Sequence, residues 1–276
     1  MRLWRRSATP NLVESLRRQV VLERASRQNA GSGKAALIAH YATTARASRS
    51  VNALVRSLLE HDYSVTLVSS SPVRSALDFD PYAAGGLTVL RKPNLGYDFG
   101  SWAVGLAMTK GISGQDTVLL ANDSMVGPFW DLAAILTALE TSSADVFALT
   151  DSDQFSYHPQ SYFVGYRRGV LAEPALKRFW TGVEHHDDKN TVIGRGELAQ
   201  GRLLRASGFS VTAYVGSRRV VEPGVNPVIH GWRRLLELGV PFVKRQLLTE
   251  PWVAGDAHEI PAYLKGHHDV DVKEWL

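Results

Sequence analysis

Residues 34–69 read KAALIAHYATTARASRSVNALVRSLLEHDYSVTLVS, and this stretch decides the fold. Lys34 to Tyr41 is a short apolar run after a glycine break, the pattern of a buried strand. Val51, Leu54, Val55, Leu58 and Leu59 then recur at i, i+3, i+4, i+7 and i+8. That spacing lines one face of a helix, with Ser48 or Ser50 as its cap. Ser64 to Ser69 is a second strand. A strand, a helix and a strand in succession predict an α/β protein. Its sheet should be mostly parallel, with helices on both faces.

The alternation continues downstream. Strands are expected at Gly86–Arg91, Thr117–Ala121, Asp145–Thr150 and Ser161–Tyr166, with helices at Asp98–Met108 and Leu132–Leu139. Beyond about residue 215 the pattern weakens to a helix near 228–239 and a Pro- and His-containing tail. In open α/β sheets, ligands bind at the carboxyl ends of the strands. Polar residues gather there: His40 and Tyr41, Ser69 to Ser71, Arg91 to Asp98, Asn122 to Ser124, and Asp151 to Asp153.

Upstream, residues 11–28 are expected to form a helix with Leu12, Val13, Leu16, Val20 and Val21 on one face. Arg2, Arg5, Arg6, Arg17 and Arg18 lie in or near it. Such a helix could rest on an anionic membrane or pack on the domain. The arginine-rich start lacks the apolar stretch of a signal peptide, and no apolar run is long enough to span a bilayer. The expectation is a cytoplasmic protein, at the inner face of the membrane if the arginines engage lipid. The division expected is a basic helical extension over 1–33, one α/β domain over 34–250 and a tail over 251–276.

Composition narrows the chemistry. The chain has 276 residues, 45% hydrophobic and 21% charged, which is ordinary globular usage. It has no cysteine, which excludes disulfides, thiolate catalysis and cysteine-ligated metals. A metal would have to sit on carboxylates, imidazoles, carbonyls or substrate phosphates. The formal charge of +4 fits an anionic ligand or surface. No nucleic-acid-binding module is recognisable.

Three motifs fail. Gly31-Ser-Gly-Lys34 lacks the first glycine and the final Ser or Thr of a phosphate loop and precedes a strand. Asp151-Ser-Asp153 follows the fifth strand and has Phe155 where an aspartyl-phosphate hydrolase has Thr or Val. The adjacent His185 and His186 are poorly spaced to meet on one ion.

Three motifs survive. Arg91-Lys-Pro-Asn-Leu-Gly-Tyr-Asp-Phe-Gly-Ser-Trp102 follows a strand and opens a helix. Asn94 and Asp98 could bond a ribose or base, Arg91 could meet a phosphate, and Gly96 permits close approach. Asp98 could equally be a helix cap. Asn122-Asp-Ser-Met-Val-Gly-Pro128 ends a buried strand. Asp123 there could hold Mg²⁺ or Mn²⁺ against a diphosphate, or cap a turn. Glu197 falls in the first turn of a helix that stops near Gly208. It could be a general base, or simply a carboxylate favoured by the helix dipole.

Together these blocks resemble the rhamnan synthesis protein F family of glycosyltransferases. The match runs in order through Ala39-His40-Tyr41, Asn94 to Trp102, Asn122 to Pro128, Gln160 to Phe163, Phe179-Trp180, Val192-Ile193 with Glu197, and Pro241 to Lys244. The resemblance implies a GT-A-like fold and an enzyme that builds rhamnose-containing or related surface polysaccharides. It implies a dTDP- or UDP-linked donor, a glycan or lipid-linked acceptor, and inverting displacement. Carried over, His40, Asn94, Gly96, Asp98, Trp102, Asn122 and Ser124 fall in the nucleotide-sugar region and Asp123 at the metal position. Glu197 falls at the base, with Asp151 and Asp153 as alternatives. Lys244 or Arg91 would neutralise phosphate. Two features depart from the pattern: a single carboxylate at 122–124, and Gly196 where the family carries an aromatic residue. The competing expectation is a non-catalytic nucleotide- or glycan-binding subunit.

Overall fold

The computed structural model describes residues 11–26, 32–186, 188, 191 and 194–276. The main sheet runs in the order β1 (Val21–Arg24), β4 (Leu87–Arg91), β3 (Ser64–Ser69), β2 (Lys34–His40), β5 (Thr117–Asn122), β9 (Phe163–Arg167), β7 (Val146–Ser152) and β10 (Val211–Val215). A short β8 (His158–Pro159) pairs with β7, and β6 (Met125–Val126) forms a separate two-stranded ribbon with β11 (Val243–Lys244).

The strand–helix–strand unit read from residues 34–69 is present. β2 and β3 are parallel, and the helix Arg49–Glu60 between them is capped by Ser48, whose side chain accepts from the Val51 amide. Alternate residues of β2 feed different cores. Ala36 and Ile38 join Val55, Leu58 and Trp232 on one face, whereas Ala35, Leu37 and Ala39 join Phe99, Trp102 and Leu204 on the other. Both faces of the sheet are therefore covered by helices, which is why these strands read as continuous apolar runs.

Three expectations change. The sheet is mixed rather than mostly parallel. β4, β3, β2 and β5 are mutually parallel, but β9 lies antiparallel between β5 and β7. The segment between β7 and β9 holds only β8 and turns. It carries no crossover helix, and a parallel return needs one. The helix expected over 11–28 is only Leu12–Leu16, and β1 follows it antiparallel to β4. Leu12 and Leu16 are buried against Val68, Leu90 and Val104, so that part of the apolar face considered for a membrane is used inside the fold, whereas Val21 is exposed. Arg2, Arg5 and Arg6 lie outside the described residues. Finally, the C-terminal segment is part of the core, where it supplies Ile260, Leu264, Val272 and Trp275. Among the described residues no helix is long and apolar enough to cross a membrane.

This topology fixes where a ligand can bind. The chain leaves β2 toward β3 on one side, while β5 joins β2 on the other. The carboxyl ends of β2 and β5 thus flank a crevice at the switch point. Register puts His40 opposite Ser69 and Ala39 opposite Asn122 at that rim.

Candidate functional site

Asn122 is the hub of the rim. Its Nδ2 donates to Asp98 Oδ2 (2.7 Å), and its Oδ1 accepts from the Ser124 amide (3.2 Å) and hydroxyl (2.6 Å). Asp98 enters from the first turn of the helix Tyr97–Met108. Asp123 Oδ2 accepts from the Tyr41 amide just beyond β2 (2.8 Å), which ties the two strand ends together. The ribbon supplies cations. β11 pairs with β6 in a register that sets Lys244 opposite Met125, and the Arg245 amide donates to the Ser124 carbonyl (2.9 Å).

Glu197 begins the helix Glu197–Ala206. Its Oε1 accepts from the Ser161 amide (3.3 Å) and from the Ser161 hydroxyl, while His158 Nε2 lies 3.9 Å from Oε2. Gly201 lets this helix sit against β8, because a Cβ there would come within 2.6 Å of the Tyr157 carbonyl.

Two cavities meet at Asn122–Ser124. The larger, about 1030 Å³, is lined by His40, Arg46, Arg49, Asp123, Ser124 and Arg245 among others. The smaller, about 320 Å³, is lined by Asp98, Asn122, Ser124, His158, Glu197 and Lys244 among others. Ser124 borders both.

The carboxylates are electrostatically unusual. Burial raises Asp123 to about 7; the Asp98 charge adds to this, and the Tyr41 amide and Arg245 oppose it. Burial likewise raises Asp98 to about 6, against the Asn122 hydrogen bond and the charges of Lys92 and Lys244, while Glu197 adds to the rise. Each carboxylate thus feels its neighbours as well as its burial. Lys92 is buried beneath this loop, its Nζ donating to the carbonyls of Pro93 (3.1 Å) and Leu95 (2.7 Å).

A divalent cation fits this donor set only in part. Among the described residues no three His, Asp or Glu side chains converge as a ready-made cage. Asp123, with Asp98 nearby, matches the one or two carboxylates that Mg²⁺ takes alongside substrate phosphates.

Several residues expected at the site serve other ends. The Arg91 guanidinium pairs with Glu23 of β1 (2.8 Å) and donates to the carbonyls of Ser71 (3.0 Å) and Val73. Its charge is spent on holding the edge strand, so a phosphate role is corrected. Trp102 is 1% exposed and donates from Nε1 to the Ala121 carbonyl (2.9 Å), which makes it a core residue. Gly96 has φ +80°, but the space a Cβ would need is filled by Leu12 Cδ2, and its amide goes to His185 Nδ1 (3.2 Å). It serves packing rather than approach to a nucleoside. Asn94 is exposed and borders neither cavity. Asp151 accepts from the Ser217 amide (2.6 Å), and Asp153 accepts from the Gly224 amide (2.9 Å) and pairs with Arg218. Both secure the loop after β10 and neither borders the Glu197 cavity. Residue reading missed Ser161, His158 and Arg245 as site components, and placed Tyr41 only among the polar residues at the strand ends. Ser161 did lie within a matched block, so a signal existed for it.

His40 is 3% exposed, with Nδ1 3.0 Å from Ser69 Oγ, and burial together with Arg91 lowers its pKa to about 4. The folded protein therefore holds this imidazole neutral where the unfolded chain, near 6.5, would be protonated. Stability from this group is full above pH 6.5 and is lost as pH falls toward 4, by about 3 kcal/mol. Asp98 and Asp123, both raised, act in the opposite direction and would mask the effect in a single scan. Urea unfolding of wild type and His40→Asn at pH 4.5 and 7.5 isolates it. Wild type should lose stability relative to the variant on acidification, and parallel changes would contradict a buried neutral His40.

Fold and site together define an open α/β-sheet protein with an acidic and basic crevice at its switch point. The chain belongs to the rhamnan synthesis protein F family, whose model matches residues 82–273. It is 32% identical over 193 residues to virulence protein VirA of Vibrio anguillarum, covering 58% of this chain and 62% of that protein. It is 22% identical over 185 residues to the uncharacterized protein y4gN of Sinorhizobium fredii, covering 63% of this chain and 48% of that one. The chain thus spans less than two thirds of the length of either relative. Among solved structures, it resembles the apo-form glycosyltransferase GlyE of Streptococcus pneumoniae with TM-score 0.37 and 14% identity, over 65% of this chain and 44% of that one. A mycobacterial protein matches with TM-score 0.34 and 11% identity, over 69% of this chain and 83% of that one.

Proposed function

We propose that this protein is a glycosyltransferase of the GT-A kind. It would move a hexose or 6-deoxyhexose such as L-rhamnose from a nucleoside-diphosphate donor onto a surface polysaccharide or lipid-linked glycan. One observation carries the reading. Asp98, Asp123 and Glu197 come from three separate segments and gather where a large cleft lined by both arginines and carboxylates meets a small cavity.

The larger cavity suits the nucleoside diphosphate, with Arg46 and Arg245 available to its charge. Asp123 would hold Mg²⁺ or Mn²⁺ against the phosphate oxygens, and that ion would offset charge on the leaving group. The smaller cavity suits the transferred sugar and the acceptor hydroxyl. Glu197 takes the acceptor proton as the hydroxyl oxygen bonds to the anomeric carbon. The bond from that carbon to the diphosphate breaks, and its electron pair leaves with the phosphate. Lys244 sits on the same wall to meet the developing charge. Ser161 and His158 hold the Glu197 carboxylate in place.

The test is a thermal-shift panel of UDP, dTDP and their sugars, with and without Mn²⁺, followed by donor hydrolysis. A ligand at 100 times its Kd should stabilise the fold by about 2.7 kcal/mol. Turnover of one donor supports the transferase. Binding with no turnover of any donor would indicate a non-catalytic nucleotide-binding subunit, and no binding at all would remove the reading.

A further inference from the structure

Two large side chains that border the smaller cavity keep much of their surface exposed. Phe155 is 81% exposed and Tyr97 is 45% exposed, and both border the cavity that contains Glu197. Both also adopt left-handed backbone, with φ +66° for Phe155 and +50° for Tyr97. Bulky residues seldom occupy that region unless the surroundings impose it. The two come from different walls. Tyr97 opens the helix that carries Asp98, while Phe155 lies in the loop between β7 and β8.

The cavity wall mixes apolar side chains, Phe99, Met125, Leu198 and Val228, with polar ones. Asn226 accepts from Gln160 Nε2 (3.1 Å) and from the Val228 amide with its side-chain oxygen, and its NH₂ has no partner among the described residues. Gln160 and Glu197 complete that wall. A pyranose ring matches such a surface, since it offers a flat C–H face to aromatic rings and a rim of hydroxyls to amides and carboxylates. A lipid chain matches it less well, because it would leave the Asn226 NH₂ without a partner.

We propose that Phe155 and Tyr97 form an aromatic clamp that seats a pyranose ring of the acceptor glycan over Glu197. The acceptor is therefore recognised through sugar already in place rather than through a lipid carrier alone. This rests on the transferase reading of the same cavity. The clamp is assigned to the acceptor rather than to the transferred sugar because both rings are exposed and can meet a glycan that extends into solvent.

The experiment measures binding of methyl hexopyranosides and methyl 6-deoxyhexopyranosides by saturation-transfer NMR, with farnesyl phosphate as the lipid probe. UDP and dTDP affinities are measured in parallel. The proteins are wild type, Phe155→Ala, Phe155→Trp, Tyr97→Ala and Trp252→Ala. Trp252 is 77% exposed and borders neither cavity, so it controls for a lost surface aromatic. At least one glycoside should bind wild type with saturation passing from aromatic protons. Phe155→Ala and Tyr97→Ala should each weaken it about fivefold or more. Phe155→Trp and Trp252→Ala should bind as wild type does, and nucleotide affinities should not move. Failure of every glycoside to bind wild type, unchanged binding in both alanine variants, or farnesyl phosphate showing the losses instead would each overturn the clamp. Absence of nucleotide binding to wild type would sink the transferase reading instead, and glycoside binding lost in Phe155→Ala would then still stand.

Discussion

Glu197→Gln should lower sugar transfer about 10²–10⁴-fold, the range a positioned general base contributes, with the nucleotide affinity of the protein unchanged. The substitution is close to isosteric. A glutamine carbonyl still accepts from the Ser161 amide and hydroxyl, so the side chain keeps its place. What disappears is a group able to take the acceptor proton. The change also removes a negative charge from the first turn of a ten-residue helix, at a stability cost of about 0.3–1 kcal/mol. A thermal shift of a few degrees is therefore compatible with a lost base, while loss of the folded state is not. Single-turnover transfer with saturating donor separates the chemical step from binding. Transfer near the wild-type rate would remove Glu197 from the base role. A raised acceptor KM with unchanged kcat would make it a binding group only.

The fold was legible wherever pattern and length agreed. Lys34–His40, the helix Arg49–Glu60 and Ser64–Ser69 appear within a residue or two of their expected bounds. β1 was not legible, because Val21 and Leu22 are exposed edge residues and Val21 also completes a helical stripe in the sequence. Pairing with β4 settled the matter, and pairing is not a local property. The direction of β9 was hidden for the same reason, since a strand's own residues do not state which way its neighbour runs.

The site was legible at residues whose chemistry is local and obscure where partners come from far away. Asp98, Asn122, Ser124, Glu197 and Lys244, each singled out in the sequence, border one cavity. Arg91 looked like a phosphate ligand until Glu23, far upstream in sequence, claimed it. Asp151 and Asp153 end a strand in the expected place, yet backbone amides of the loop after β10 occupy them. Arg245 escaped notice because only the β6–β11 ribbon brings it to Ser124.

Trp102→Ala should destabilise the protein by about 3–5 kcal/mol, the usual range for a buried tryptophan, or roughly 10 °C in Tm for a chain of this size. Trp102 lies in a motif that resembles a nucleotide-binding block, so its role has two opposed consequences. Its ring packs edge-on against Phe99 at 5.3 Å and against Trp180 at 6.4 Å, with 1% of its surface exposed. Its Nε1 also satisfies the Ala121 carbonyl, one residue before the hub Asn122. Truncation leaves a cavity and removes a donor from the Ala121 carbonyl at the end of β5. Trp102→Phe keeps most of the apolar contact and loses only the donor, so its cost should be nearer 1–3 kcal/mol. A core residue predicts this graded loss in ligand-free urea unfolding. A ligand contact predicts unchanged unfolding and weakened nucleotide affinity, and that pattern would return Trp102 to the binding surface. The hydrogen bond to Ala121 explains why the aromatic residue belongs in the motif without touching a ligand. It fixes the strand end from which Asn122 reaches Asp98 and Asp123 reaches Tyr41.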